Sequence, residues 1–266
     1  MSVTILDKIL KAKRARVTEA RLARSDESMK LLAKQERVSR TAGVFRAALS
    51  GENGLNIIAE IKRASPSKGI INSSANVGSV AAAYERGGAC AISVLTEEDH
   101  FQGSLGDLAE ARHGSSLPIL RKDFIFDEYQ VWEAAAYGAD AVLLIAAMLD
   151  DSSISRLSLE ASALGLDALV EVHSFEELNR VCSLGENLIG VNNRNLRSFK
   201  VDLGVSRLLI THAPDNAILV AESGLKRRED LEELRELGYR GFLIGEILMQ
   251  SGEPETTLNK LTGTAE

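Results

Sequence analysis

The chain is predicted to be an α/β protein, a (β/α)8 TIM barrel with a helical extension at its amino end. Three observations carry this. Eight short, apolar, β-rich runs recur between residues 56 and 246, beginning roughly 20–35 residues apart, the length of one strand, one helix and two loops. Amphipathic segments fill the gaps, and strand alternating with helix implies a parallel sheet. The runs are almost continuously apolar, as strands are when both faces of a sheet are covered. A doubly wound open sheet is the alternative, but eight units over about 200 residues favour closure.

The extension comes first. ILDKILKAKRARVTEARLA is predicted to be a helix with Leu6, Leu10 and Val17 on one side, and TAGVFRAALSG a second, short helix. Residues 1–55 are expected to pack on the barrel as helices, within one domain spanning 1–266. The basic run from Lys8 to Arg24 is read as a solvated helix face rather than a nucleic-acid arm, because acidic residues follow at once. The strands then read NIIAEIK, ACAISVLT, LPILRKD, DAVLLIA, DALVEV, LIGVNN, AILVAES and GFLIGE. Between them, VGSVAAAYERGGA, DEYQVWEAAAYGAD and REDLEELRELGYRG run into glycine, as helix C-termini often do. Asp127 and Ser174 stand where N-caps belong.

Charged residues close the strands. The first run ends in Glu60 and Lys62, the third in Lys122 and the fifth in Glu171; the sixth ends in Asn192 and Arg194, the seventh in Glu222 and Ser223. Side chains alternate along a strand, so Ile58, Glu60 and Lys62 share one face, as do Leu120 with Lys122, Leu169 with Glu171 and Val220 with Glu222. These polar ends are most cheaply placed facing inward at the open carboxyl-end rim, where barrel enzymes of this type carry their active sites. A plug of mutually neutralised charges needs no recurrence at the same end of five strands, and buried ion pairs at best break even. A ring of opposite charges within low-dielectric walls pushes pKa values apart, so that a lysine serves as acid and a glutamate as base.

Glycines follow strands seven and eight, in AESGL and LIGEIL. Loops there commonly form a phosphate site from backbone N–H groups. Gly224 and Gly245 let the backbone come close, and Ser65 in the first βα loop adds a hydroxyl beside the stiffening Pro66. Phe101, Phe124 and Leu196 lie near strand ends and are candidates for the wall of an apolar ring pocket.

Net charge −7 argues against a general nucleic-acid binder. Cys90 and Cys182 sit in apolar settings and are expected to be buried, reduced thiols. The four histidines, His100, His113, His173 and His212, are scattered, and no Cys/His cluster has metal spacing. Neither a signal-peptide core nor an apolar run of about 18 residues is present, so a cytoplasmic protein without membrane attachment is expected.

The motifs IAEIKRASPSKG, VLTEEDHFQGSL, LRKDFIFDEYQV, ALVEVHSFEEL, IGVNNRNL, LVAESGL and FLIGEILM, in that order over nearly the whole chain, resemble the indole-3-glycerol-phosphate synthase family of tryptophan biosynthesis. The resemblance implies ring closure of 1-(2-carboxyphenylamino)-1-deoxyribulose 5-phosphate with loss of carbon dioxide and water, using no metal or organic cofactor. It implies Lys122 as general acid and Glu171 as general base. Lys62 matches a contact to the substrate carboxylate, steadied by Glu60, while Asn192 and Glu222 match orienting groups. Ser65, Arg194, Gly224 and Gly245, with Ser223 at the edge, match the phosphate site, and Phe101, Phe124 and Leu196 match walls around the anthranilate ring. Glu246 departs from relatives that carry serine; it is expected to point away from the phosphate and leave its backbone N–H as donor. A monomer is expected, one that can associate with other tryptophan-pathway enzymes. Phosphoribosylanthranilate isomerase, another barrel of the pathway, is disfavoured because it uses a Cys/Asp pair and neither cysteine here ends a strand. A non-catalytic phosphate-binding barrel is disfavoured because both Lys122 and Glu171 are present.

Overall fold

The computed structural model describes residues 5–51, 54–196 and 198–263. Residues 1–4, 52–53, 197 and 264–266, which fall within the predicted 1–266 domain, lie outside the described residues. The eight predicted runs form eight strands: β1 Ile57–Ile61, β2 Ala91–Leu95, β3 Ile119–Lys122, β4 Ala141–Ile145, β5 Asp167–Val172, β6 Leu188–Asn192, β7 Ile218–Glu222 and β8 Gly241–Ile244. All pair in parallel with their sequence neighbours, and β1 pairs with β8 to close the barrel. Closure gives each strand a neighbour on both sides, so no edge is left unpaired.

Packing confirms the face assignment. Ile58, Leu120, Leu169 and Val220 belong to the cluster that fills the barrel interior, with Ala91, Ala141, Leu143, Leu188 and Leu243. Ile57, Ala59 and Ile61 belong to the other cluster, shared with the surrounding helices. Since alternation continues to the strand ends, Glu60, Lys122, Glu171 and Glu222 face inward above this apolar layer.

The helices are α1 Ile5–Ala23, α2 Asp26–Arg37, α3 Val44–Ala48, α4 Val77–Arg86, α5 Leu105–Gly114, α6 Glu128–Ala136, α7 Asp151–Ala163, α8 Phe175–Ser183, α9 Gly204–Leu209, α10 Arg228–Leu237, α11 Glu246–Gln250 and α12 Pro254–Thr262. Asp127 and Ser174 cap α6 and α8 as expected: Tyr129 N donates to Asp127 Oδ1 at 2.9 Å and Glu177 N to Ser174 Oγ at 3.3 Å. The short helix α3 sends Phe45, and its C-cap residue Leu49, into the interior cluster, closing the amino end of the barrel.

The extension differs from expectation in three ways. Helix α2 was not foreseen; its sparse apolar stripe, Met29 and Ala33, is buried, and it is anchored by buried Arg37, which donates to Leu164 O at 3.0 Å and to the Asp140 carboxylate at 3.0 Å. On α1 the buried residues are Ile9, Lys13 and Val17, whereas Leu6 and Leu10 are only half-buried. The basic run is not simply a solvated face either. Lys13 is buried and bonds Glu98 at 2.7 Å and Asp123 at 3.0 Å; Arg16 Nε donates to Asp99 at 3.0 Å, and Arg21 to Asp127 at 2.7 Å. Most of these partners lie more than 80 residues away in sequence and are presented by barrel loops, which is why local charge counting missed them. Cys90 and Cys182 are free but half-buried rather than fully enclosed. No helix among the described residues is long and apolar enough to cross a membrane.

Candidate active site

Above the interior apolar layer, the carboxyl-end rim encloses a cavity of about 740 Å³. Every site residue singled out in the sequence lines it, although these residues come from seven of the eight strands or their loops. They divide into a charged ring, an apolar wall and a glycine- and serine-rich edge.

Two clusters make up the ring. Just past β1, Lys62 Nζ donates to Glu60 of that strand. At the end of β3, Lys122 Nζ donates to Glu171 Oε2 of β5 at 3.3 Å and to Glu222 Oε2 of β7. Glu60, Glu171 and Glu222 are nearly solvent-free, and Lys122 is only slightly more open. Burial works against the ammonium of Lys122, but the charges of Glu222, Glu171 and Glu60 outweigh it and hold the lysine above its usual range. Its two partners diverge. Burial also works against the charge on Glu171, but Lys122 and His173 overcome this and hold it well below the usual carboxylate range. Burial wins at Glu222, helped by the neighbouring carboxylates, and pushes it up to about 7 against the pull of Lys122. Its Oε1 has no hydrogen-bond partner among the described residues, which suits a carboxyl that holds a proton. Asn192 sits at the end of β6, where its Oδ1 accepts from Arg194 N at 3.0 Å.

Two glycines make room for this ring. A Cβ on Gly190 of β6 would lie 2.2 Å from Glu222 Oε1, and one on Gly245 would lie 2.5 Å from Glu60 Oε1. Gly245 therefore serves the ring as well as the loop for which the sequence singled it out; Gly190, inside an apolar run, gave no comparable signal.

The end of β3 is braced from behind. Asp123 is buried and accepts from Arg121 at 3.0 Å, Lys13 at 3.0 Å, Thr96 at 2.6 Å and Phe124 N at 2.8 Å. The α1 helix is thereby tied to the residue next to Lys122. Burial works against the charge on Asp123, but Arg121 and Lys13, with the Thr96 hydroxyl, outweigh it and hold Asp123 below the usual aspartate range.

The apolar wall holds Phe101 and Phe124, ring centroids 6.2 Å apart, with Leu196 nearby. Ile5, Leu6 and Ile9 of α1 complete it, a role the sequence did not reveal because it depends on how the extension docks. Arg194, half-buried, donates to Phe199 O at 3.2 Å and bridges Val201.

At the third edge lie Ser65, in a small hairpin pairing Ala64–Ser65 with Gly69–Ile70, and the turn Ser223–Gly224, with φ of 65° and 86°. Positive φ is free for Gly224 but costly for Ser223, and such a residue persists where the surroundings demand it. Glu246 opens helix α11 beside this edge. It lines the cavity, and its carboxylate lies 3.2 Å from Lys68 Nζ, another lining residue. Lys68 supplies the counter-charge that makes a carboxylate tolerable here. The sequence reading missed Lys68, although it stands in the quoted ASPSKG motif.

Among the described residues, no group of three or more His, Cys, Asp or Glu side chains has metal-holding geometry. What the ring can do is proton chemistry: a charged ammonium shared by an ionised and a protonatable carboxylate, next to an apolar wall and an edge of hydroxyls, glycines and cations.

Comparison with known proteins agrees. Solved barrels include the tryptophan synthase complex from Pyrococcus furiosus (TM-score 0.59, 16% identity, 78% of this chain and 98% of that one). Thiamine phosphate pyrophosphorylase from the same organism matches with TM-score 0.57 at 18% identity, over 77% of this chain and 92% of that one. At such identities these matches bear on the fold alone. Curated relatives named indole-3-glycerol phosphate synthase reach 50% identity in Koribacter versatilis, over 82% of this chain and 85% of the relative. The relative in Desulfosudis oleivorans is 44% identical over 98% and 99% of the two chains. The family profile described as Indole-3-glycerol phosphate synthase matches residues 6–261, and the chain belongs to that family.

Proposed function

We propose that Lys122 is the general acid and Glu171 the general base of the family's carboxy-lyase reaction, which turns 1-(2-carboxyphenylamino)-1-deoxyribulose 5-phosphate into indole-3-glycerol phosphate. In that reaction the ring carbon bearing the carboxylate attacks the sugar ketone, and the ketone oxygen gains negative charge. Lys122, held charged by its carboxylate neighbours, gives that oxygen a proton. Carbon dioxide leaves, the new hydroxyl departs as water, and a proton must come off to complete the indole. Glu171, held ionised, takes it.

Lys62, paired with Glu60, faces the substrate carboxylate and is placed to assist the dehydration. Asn192 and Glu222 orient the sugar. Ser65, Arg194, Ser223, Gly224 and Gly245 take the phosphate, with Lys68 offsetting Glu246 at that edge. Phe101, Phe124 and Leu196, with α1, hold the anthranilate ring. The observation that supports this reading above others is the single ammonium of Lys122 shared between Glu171 and Glu222 at the open rim.

The direct test is indole-product fluorescence from the carboxyphenylamino substrate. Wild type is expected to give signal, and Glu171→Gln to lose on the order of 10²-fold or more in kcat. A Glu171→Gln protein within about tenfold of wild type overturns the base assignment. We further place the protein in the cytoplasm as a monomer, folded as one domain over residues 1–266. The buried Lys13 and Arg37 contacts that join the extension to the barrel support the single domain. Light scattering that gives a dimer mass overturns the monomer.

A further inference from the structure

His173 lies just past β5, does not line the cavity, and is almost enclosed, with 12% of its side chain exposed. Its Nε2 is 3.2 Å from Glu171 Oε1, out of line for a hydrogen bond but within ionic reach. Its Nδ1 is 3.3 Å from Glu177 Oε2, which also accepts from the His173 backbone N at 2.7 Å. Glu177 stands in the first turn of α8, three residues after the Ser174 cap, so its position is set by the helix start. A neutral imidazole carries one N–H and one lone pair. Between two carboxylates it would turn that lone pair toward an anion; the imidazolium suits both sides.

The consequence appears when Glu171 and Glu222 are compared. Both contact Lys122 through Oε2. Glu171 Oε1 has a second cation-capable group, His173, whereas Glu222 Oε1 has no hydrogen-bond partner among the described residues. We propose that His173, clamped by Glu177, is a positioning residue that keeps the negative charge on Glu171 and leaves the proton of this carboxylate pair to Glu222. This rests on the reading of Glu171 as general base. Burial works against the charge on His173, but Glu171 and Glu177 outweigh it and push the imidazole up to about 10, in keeping with the geometry. The other groups that set the charge of the pair are Lys122 from β3 and Glu60 from β1, with Asn192 from β6 bonding Glu171.

The experiment compares wild type, His173→Gln, Glu177→Gln and Glu171→Gln. It records kcat and KM between about pH 6 and 9, and the ¹⁵N shifts of the histidine rings. Wild-type His173 is expected to be imidazolium near pH 8. His173→Gln removes a positive charge, so the carboxylate pair binds its proton more tightly. The acid limb of the kcat profile should move up by about one pH unit or more, with KM little changed and rate regained near pH 9. Glu177→Gln should shift it in the same direction by less. A neutral His173 near pH 8, or a His173→Gln profile lowered evenly at every pH, overturns the proposal. Should His173→Gln not fold, Glu177→Gln and the wild-type ring shifts decide it. Loss of activity in Glu171→Gln with an unmoved His173→Gln profile sinks this proposal alone; an active Glu171→Gln sinks the base reading as well.

Discussion

Replacing Lys122 by methionine removes the one cation shared by Glu171 and Glu222 while keeping most of the side chain's volume. Two effects follow from the geometry. Catalytically, loss of a positioned general acid costs on the order of 10²–10⁴-fold in kcat, about 2.7–5.4 kcal/mol of transition-state stabilisation. Structurally, three buried carboxylates, Glu60, Glu171 and Glu222, are left facing each other without it. Breaking a buried pair by deleting one partner costs about 3–5 kcal/mol when the remaining charge cannot be relieved. Here it can, because the carboxylates take up protons. Their folded-state pKa values then stand above the unfolded ones. The stability they contribute is present at low pH and is lost as pH rises through the folded values. Lys122→Met should therefore be strongly destabilised relative to wild type near pH 8 and much less so near pH 5, in denaturant titrations followed by far-ultraviolet circular dichroism. Turnover within about tenfold of wild type would remove the acid role. An equal loss of stability at both pH values would show that Lys122 does not neutralise this cluster.

Gly190→Ala places a methyl 2.2 Å from Glu222 Oε1; it should destabilise by about 1–3 kcal/mol and lower kcat, read by denaturant midpoint and the fluorescence assay. Lys68→Met should raise KM, and Glu246→Gln, which frees Lys68 and removes a carboxylate from the cavity, should lower it; steady-state kinetics distinguishes these from the reverse order. Glu222 is pushed up to about 7 in the fold, above its ordinary value, so its stabilising contribution disappears as pH rises through that value. Glu222→Gln, which mimics the protonated form, is then expected to gain thermal stability over wild type near pH 8 and to gain none near pH 5, as scanning calorimetry would read.

The barrel and the face of each strand were legible because both are local properties. Apolar continuity and a period of two decide that Ile58, Leu120, Leu169 and Val220 point one way and that the charges two residues later point the same way. The convergence of Glu60, Lys62, Lys122, Glu171, Asn192 and Glu222 on one rim follows from that parity once eight strands close. Helix α2 was less legible because its stripe is thin and its main anchor, Arg37, works through carbonyls of loops more than 100 residues away.

The sequence by itself thus determined the strand count, the inward faces and the chemical types gathered at the carboxyl end, since short-range periodicity encodes them. Only the tertiary structure decided which charges pair. It seats buried Lys13 against Asp123, sets Lys68 against Glu246, and places His173 beside Glu171 but not beside Glu222. It also brings Ile5, Leu6 and Ile9 of α1 to the cavity wall. Coulombic partners and pocket walls are chosen by distances through space, and a linear chain does not state those distances until the barrel has closed and the extension has docked.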